Sequence, residues 1–311
     1  MSRKYIRRVN LVVSTGGEGL DLSNMHIVWR TFAPDASSPP TAYIRVYNLS
    51  KETVSQIQNE FQKVTLQAGY ANGEVGIIFT GTIIQTKTGA ERNSIDRYID
   101  IMASDLDLFY SGTVVNKTLK SGSTKQDQLD AIFQAAGSTG AEKGYIPDDF
   151  GTGGVLPRGK VMFGMGRDML SNVSSSNNVS WSIQDGKINL IPFTGYLPGE
   201  AVELNSQTGL LGVPEATENG IELKCLLDAK IKVGTRVKLN NEDITTTKVN
   251  QQGFFPQYGS QTYRANLNAN GIYKVLVHET AGDTRGEMYQ SILTCLSVDS
   301  TSSSNQVNPN G

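Results

Sequence analysis

Residues 271–298, GIYKVLVHETAGDTRGEMYQSILTCLSV, constrain the fold of this chain more than any other stretch. Tyr273, Val275 and Val277 alternate with Lys274, Leu276 and His278. After a loop, Ile292, Thr294, Leu296 and Val298 alternate with Leu293, Cys295 and Ser297. A two-residue period sends successive side chains to opposite faces of a strand, so the stretch predicts a β-hairpin. Its loop, His278 to Gly286, carries Gly282, Asp283 and Gly286, residue types that relieve strain in tight turns. The stretch contains no catalytic set and reads as architecture.

The N-terminal third repeats this pattern. Strands are expected over residues 4–13, around Met25–Trp29, over Tyr43–Asn48, at Val64–Ala68, over Ile77–Ile84 and over Ile95–Ala103. Asn72-Gly73 marks a hairpin turn, and the last two strands are expected to join through a loop around Gly89. The prolines of Pro34–Pro40 exclude a helix or a central strand there. One short helix is expected from Ser50, its N-cap, to Phe61, with Val54, Ile57 and Phe61 on one buried stripe.

From Leu108 the pattern changes. Thr124 and Asp127 have the spacing of a capping box for a helix bearing Leu129, Ile132, Phe133 and Ala136, which Gly137 stops. A glycine-rich connection spans 140–159, and a second helix is expected over Phe163–Val173. Val179–Ile183 and Ile188–Leu190 flank Asp185-Gly186 as a two-residue hairpin. Residues 196–299 return to β, with Ile221, Leu223, Cys225 and Leu227 alternating. The polar stretch 240–271 reads as an excursion, and 300–311 lacks the apolar content to fold alone.

The fold class expected is mainly β (α+β). Its plan is a β-barrel domain over 1–109, an α+β middle domain over 110–195, a second β-barrel over 196–299 and a flexible tail over 300–311. No strict internal repeat is legible, only the coarse symmetry of a β domain at each end.

Composition limits function. With 28 basic and 30 acidic residues the chain has a formal net charge of -2, so no basic field holds nucleic acid nonspecifically. The start is no signal-peptide core, and no run approaches the ~18–20 apolar residues of a membrane span. A soluble chain is expected. Cys225 and Cys295 lie in strand patterns and are read as buried free thiols.

Gly151-Thr152-Gly153-Gly154 and Gly164-x-Gly166 lack the strand, helix and Lys-Ser/Thr pair of a phosphate loop. His26 and His278 are the only histidines, too few for a His-rich metal site. The carboxylate pairs Asp105/Asp107, Asp148/Asp149 and Glu242/Asp243 lack an aromatic platform and read as solvated turns or strand ends. Arg3, Lys4, Arg7 and Arg8 form a basic run that makes a poor DNA-binding stripe, because neighbouring strand residues face opposite ways; it reads as solvated, with a docking edge as the alternative. No catalytic, cofactor-binding or metal-binding residue is assigned, no cofactor is expected, and an enzyme is not expected.

The order of several motifs resembles the baseplate hub proteins of contractile-tailed bacteriophages, of the late-control or tail-hub type. These are Ala42–Ser50 before a short helix, Val64–Tyr70 with Ile78–Ile83, Gly220–Leu227, Ile231–Leu239, Gly271–Val275 and His278-x-x-x-Gly282-Asp283-Thr284-Arg285-Gly286. The resemblance covers most of the chain. It departs at Tyr289, where an aromatic residue, often Trp, is expected after the loop. It implies a homotrimer in the virion tail baseplate, assembled in the host cytoplasm. Two tube-like barrels per chain would form a pseudo-hexameric ring, with the sixfold tail tube on one side and the threefold central spike on the other. Genomic DNA would pass through the lumen without specific binding, other baseplate proteins would attach, and no membrane would be entered. A cell-wall- or polysaccharide-active tail module, and the equivalent hub of a contractile secretion or tailocin machine, stand as alternatives.

Overall fold

The computed structural model describes residues 6–297 apart from 247–270, 218–219 and the single positions 16, 36, 72, 74, 93 and 153. Asn72, Arg3, Lys4, the tail 300–311 and most of the 240–271 excursion therefore lie outside the described residues. The chain is mainly β, with antiparallel sheets, and its buried apolar side chains fall into three clusters.

The first cluster belongs to β1 (Arg7–Thr15), β2 (Glu18–Asp21), β3 (Ile27–Pro34), β4 (Thr41–Tyr47), α1 (Lys51–Asn59), β5 (Lys63–Tyr70), β6 (Val75–Ala90) and β7 (Arg97–Ser104). Alternation places Ile27 and Trp29, Ile44 and Val46, and Ile99 and Ile101 inward. Ser50 caps α1 by accepting from Thr53 N–H at 3.1 Å. β6 runs further than the sequence suggests, to Ala90. Gly89 is a strand residue paired with Tyr98, and it is glycine because the Tyr98 ring lies where a Cβ would project. The turn is at 91–96 instead, and Ile95 stands exposed in it.

The second cluster is built by α2 (Asp107–Gly112), β8 (Val114–Leu119), α3 (Lys125–Ala136), β9 (Glu142–Lys143), β10 (Lys160–Met165), α4 (Gly166–Ser175), β11 (Val179–Gln184) and β12 (Lys187–Pro192). The capping box of α3 forms in full and Gly137 is its C-cap. Asp185 (φ 53°) and Gly186 (φ 79°) both take the left-handed conformation that a two-residue hairpin turn requires. The expected helix from Phe163 begins only at Gly166. Residues up to Met165 are extended because they pair with β8, which leaves Phe163 exposed.

The third cluster lies within β13 (Val202–Glu203), β14 (Leu210–Thr217), β15 (Gly220–Leu226), β16 (Arg236–Lys238), β17 (Thr245–Thr246), β18 (Ile272–Asp283) and β19 (Tyr289–Leu296). Ile221, Leu223, Cys225, Val237, Tyr273, Val275, Leu293 and Cys295 fill it.

The opening hairpin is β18–β19, and it does more than close the third unit. The near half of β18 pairs with β16 at 272–274, while its far half, Val277–Asp283, pairs antiparallel with β3. The first and third units thus share one 14-stranded sheet among the described residues. At the centre of this joint Thr280 faces Thr31, and their hydroxyls lie 2.7 Å apart, both buried. Side-chain parity is preserved across it: Ser291, Thr280, Thr31 and Ala42 all face inward.

The shared sheet is a duplication in register. Hairpins β6–β7 and β18–β19 match pair for pair: Thr82/Ser104 with Lys274/Leu296, Gln85/Met102 with Val277/Thr294, Ala90/Arg97 with Gly282/Tyr289. Each has one extra residue at the same point, Ile84 or Leu276, the mark of a β-bulge. β4 and β15 match likewise, with Ala42, Ile44 and Val46 standing where Ile221, Leu223 and Cys225 stand against the next strand; β14 follows β3 at Glu215–Thr217 and departs from it by an irregularity between Leu211 and Glu215. The first unit follows the order β3, β4, β6, β7 and the third follows β14, β15, β18, β19, so chain order is conserved as well.

Tyr289 closes the first unit. Its ring is buried edge-on against Trp29 (5.6 Å) and Tyr70 (5.4 Å). Its hydroxyl accepts from Gly69 N–H at 2.8 Å and lies 2.7 Å from Gly69 O and 2.9 Å from Arg8 O, either of which can take its proton. One side chain of the last hairpin thereby ties β1 to β5. Gly282, opposite Trp29, is glycine because any Cβ there would overlap the indole; it is a strand residue and not part of the loop.

Gly282→Ala is expected to cost roughly 1–3 kcal/mol through overpacking against Trp29. Tyr289→Phe keeps the ring and strands the buried Gly69 N–H, costing about 1–3 kcal/mol. Chemical denaturation of both variants against wild type measures these losses.

Candidate assembly site

The end of β18 at Asp283 and the turn after it are tied from several directions. Asp283 Oδ1 accepts from Arg285 N–H (2.8 Å), Gly286 N–H (2.9 Å) and His26 Nε2 (2.9 Å). Burial would raise this carboxyl, but those three donors outweigh it and hold it below its ordinary value. His26 is stacked on Tyr47 at 4.5 Å. Arg7, exposed as expected of the basic run, donates to Gly286 O (2.6 Å) and Glu287 O (2.7 Å) and so clasps β1 to this turn. Arg285 is exposed.

A second cluster gathers where the three cores meet. Lys274 Nζ lies 3.2 Å from Asp35 Oδ2, both side chains almost fully buried, and Ser180 Oγ donates to Asp35 Oδ1 at 3.1 Å. One carboxylate of the proline-rich loop thus binds side chains from the third and middle units. Nearby, Lys232 Nζ reaches Asp185 (2.8 Å) and Ile77 O (2.8 Å), and Gly186 N–H donates to Asp105 at 3.0 Å.

Asp105, Asp185, Lys232 and His278 line a cavity of about 30 Å³ at this junction. That space suits a water molecule, not a substrate. Burial pushes the Asp105 carboxyl up to about 6, with the Asp185 charge adding to the effect against the Gly186 hydrogen bond. Burial pulls His278 down to about 3, and its Nε2 lies 3.0 Å from Ser291 Oγ.

The remaining sequence candidates are scattered. Asp107 opens α2, away from Asp105's buried position. Asp148 and Asp149 are exposed on a turn in which Phe150 N–H binds Pro147 O, and Glu242 is exposed in a 3-10 turn. Gly151 and Gly154 take positive φ in a connection with no phosphate-loop helix after it. Cys225 and Cys295 are buried free thiols, as expected, and burial pushes Cys295 far up. Among the described residues no group of three or more His, Cys, Asp or Glu could hold a metal ion, and no helix is long and apolar enough to cross a membrane. A groove of about 450 Å³ between α1 and the far end of hairpin β6–β7 has Lys51, Arg97 and Tyr98 in its lining and no Asp or Glu. Sequence reasoning took Arg7 only as one of a basic run and missed Asp35, Ser180, Lys232 and Lys274; only the positions of Asp35 beside Pro34 and of Lys274 within an apolar strand hinted at a special role.

Two curled β units fused through one sheet, with an α+β unit between them, define a fold shared with phage tail proteins. The 43 kDa tail protein of prophage MuSo2 from Shewanella oneidensis matches with a TM-score of 0.60 and 7% identity, over 94% of this chain and 98% of that one. A tail protein from Neisseria meningitidis MC58 matches at 0.55 and 10%, over 94% and 96%. The E. coli c3393 protein, a type VI secretion component with structural similarity to T4 tail proteins gp27 and gp5, matches at 0.53 and 9%, over 88% and 73%. The sequence matches no protein-family model and no curated protein. At these identities the likeness establishes the fold.

The junction makes a pH prediction. His278 is harder to protonate folded than unfolded, so its contribution to stability is lost as pH falls from about 6.5 towards 3. Asp105 is easier to protonate folded than unfolded, so its contribution is present at low pH and lost as pH rises from about 4 to 6. The two slopes oppose each other between pH 4 and 6. Asp105→Asn is expected to unmask a loss approaching ~1.4 kcal/mol per pH unit on acidification through that window, and His278→Gln the opposite slope, both read from denaturation at stepped pH.

Proposed function

We propose that this chain is a structural hub of a tail machine: three copies form a ring that joins a sixfold tail tube to a threefold spike. The observation that carries the reading is the fusion of two like β units in one sheet, in the same chain order, with a third unit inserted once. Three such chains supply six quasi-equivalent β units for the tube side while keeping three middle units, which is the arithmetic that joining the two symmetries requires. The domain plan of this reading is 1–109, 110–195 and 196–299 with 300–311 as a tail, although α2 (Asp107–Gly112), which packs in the middle cluster, straddles the first boundary.

In this role the protein works by position and not by chemistry. Its partners are two further copies of itself, the tube or tube-initiating protein, the spike and neighbouring baseplate proteins, in a virion tail. Genomic DNA passes through without being held, a role to which the net charge of -2 is suited. The hub of a contractile secretion or tailocin machine would use the same fold, and the tail and secretion proteins of similar architecture accord with either setting.

Light scattering or native mass spectrometry of the purified chain, alone and mixed with its spike protein, tests the reading. A species of three times the 33.7 kDa chain mass is expected. A monomer that persists at high concentration and forms no spike complex would sink it.

A further inference from the structure

The joint between β18 and β3 has a counterpart that the single chain leaves open. In the third unit, β18 gives its near half to β16 and its far half to β3. In the first unit, β6 gives its near half, Val75–Thr82, correspondingly to one side strand, β5. Its far half, from Ile84 to Ala90, pairs with β7 on one edge, and no described strand pairs with the other. Gln85, Lys87, Thr88 and Ala90 on this stretch are exposed, and the groove beside α1 runs along Thr88–Ala90. A strand edge of this kind is a template for another chain.

The duplication says which strand fits. β6 corresponds to β18 and β14 corresponds to β3, so the partner of the open β6 edge is β14. Within one chain these two strands lie at opposite ends of the series β6-β7-β4-β3-β18-β19-β15-β14. We infer that the far half of β6 pairs antiparallel with β14 of a second copy of this chain, repeating the internal β18–β3 joint between molecules. The register transfers residue by residue. Glu279/Phe32, Thr280/Thr31 and Ala281/Arg30 become Lys87/Thr217, Thr88/Ala216 and Gly89/Glu215, the second residue in each new pair belonging to the other copy.

Charge supports this partner. In the internal joint Glu279 stands diagonal to Arg30 on the outward face; in the new one Lys87 stands diagonal to Glu215, the same opposition with the signs exchanged. Diagonal neighbours on one face lie within reach of long side chains. Pairing of β6 with the β3 edge of another copy would instead set Lys87 near Arg30. Among the described residues the β14 edge carries β17 in parallel at Glu215 and Ala216; assembly exchanges that contact for an antiparallel one over Glu215–Thr217.

This inference rests on the ring reading and specifies its chain-to-chain contact. The test is a Thr88→Cys/Ala216→Cys chain, oxidised and run on a non-reducing gel beside each single variant, with wild-type mass measured in parallel by light scattering, with and without spike protein. The native thiols are buried. Covalent dimers and trimers from the double variant alone, reversed by reductant, are expected. A wild-type trimer whose double variant stays unlinked would overturn the joint and leave the ring reading standing; absence of any oligomer would overturn both. Should the cysteines impair folding, the exposed charges give a second measure. Lys87→Glu is expected to weaken each joint by roughly two- to fivefold, and adding Glu215→Lys to restore it; no restoration would also overturn the joint.

Discussion

The seven-residue ladder between β3 and β18 is the constraint on which the rest depends. Without it the first and third units would be separate β domains, each with an open edge. With it they share one sheet whose inward face runs without a parity break from Leu293 and His278 to Ala33, and from Ser291 through Thr280 and Thr31 to Ala42. A one-residue slip would turn every one of those side chains outward. The Thr31–Thr280 hydroxyl pair is therefore well placed at the centre: it satisfies two buried polar groups only in this register.

The middle unit keeps a separate apolar cluster and is tied to that sheet by polar contacts beside the packing of Ile191 on Gly234. Asp35 receives Lys274 and Ser180, Asp105 receives Gly186, and Lys232 spans Asp185 and Ile77. Buried ion pairs of this sort add little net stability compared with apolar packing, but losing one partner leaves a charge stranded. They specify an arrangement more than they strengthen it. The opposed titrations of Asp105 and His278 in one small cavity have a related effect, since each cancels the acid response of the other.

Much of the fold was legible because it rests on local rules. Alternation located most strands, Ser50 and Thr124 marked helix starts, and Asp185-Gly186 marked a turn whose φ angles only such residues adopt readily. The errors were equally local. Phe163 sits in a segment that suits helix or strand, and pairing with β8 decided it; Gly89 looked like a loop residue because its real role, giving room to the Tyr98 ring, is a contact across the hairpin. Contacts between distant parts of the chain left no local signal. Tyr289 to Gly69, Arg7 to Gly286 and Thr31 to Thr280 each join residues more than two hundred positions apart. The duplication was hidden for a different reason: its two copies keep inward alternation, hairpin length and the bulge, while Thr88–Gly89–Ala90 and Thr280–Ala281–Gly282 share little else.

The paired bulges at Ile84 and Leu276 have a mechanical consequence. Each lets a long strand serve two masters, its near half bracing its own unit and its far half reaching the next. Tension that draws the two β units apart within the plane of the sheet then acts across the β3–β18 ladder as a whole. All its backbone hydrogen bonds share that load together, while a twist that lifted one end would meet them one after another. The joint is thus stiff against stretching and softer against peeling, an anisotropy suited to a part that must stay closed while its neighbours move.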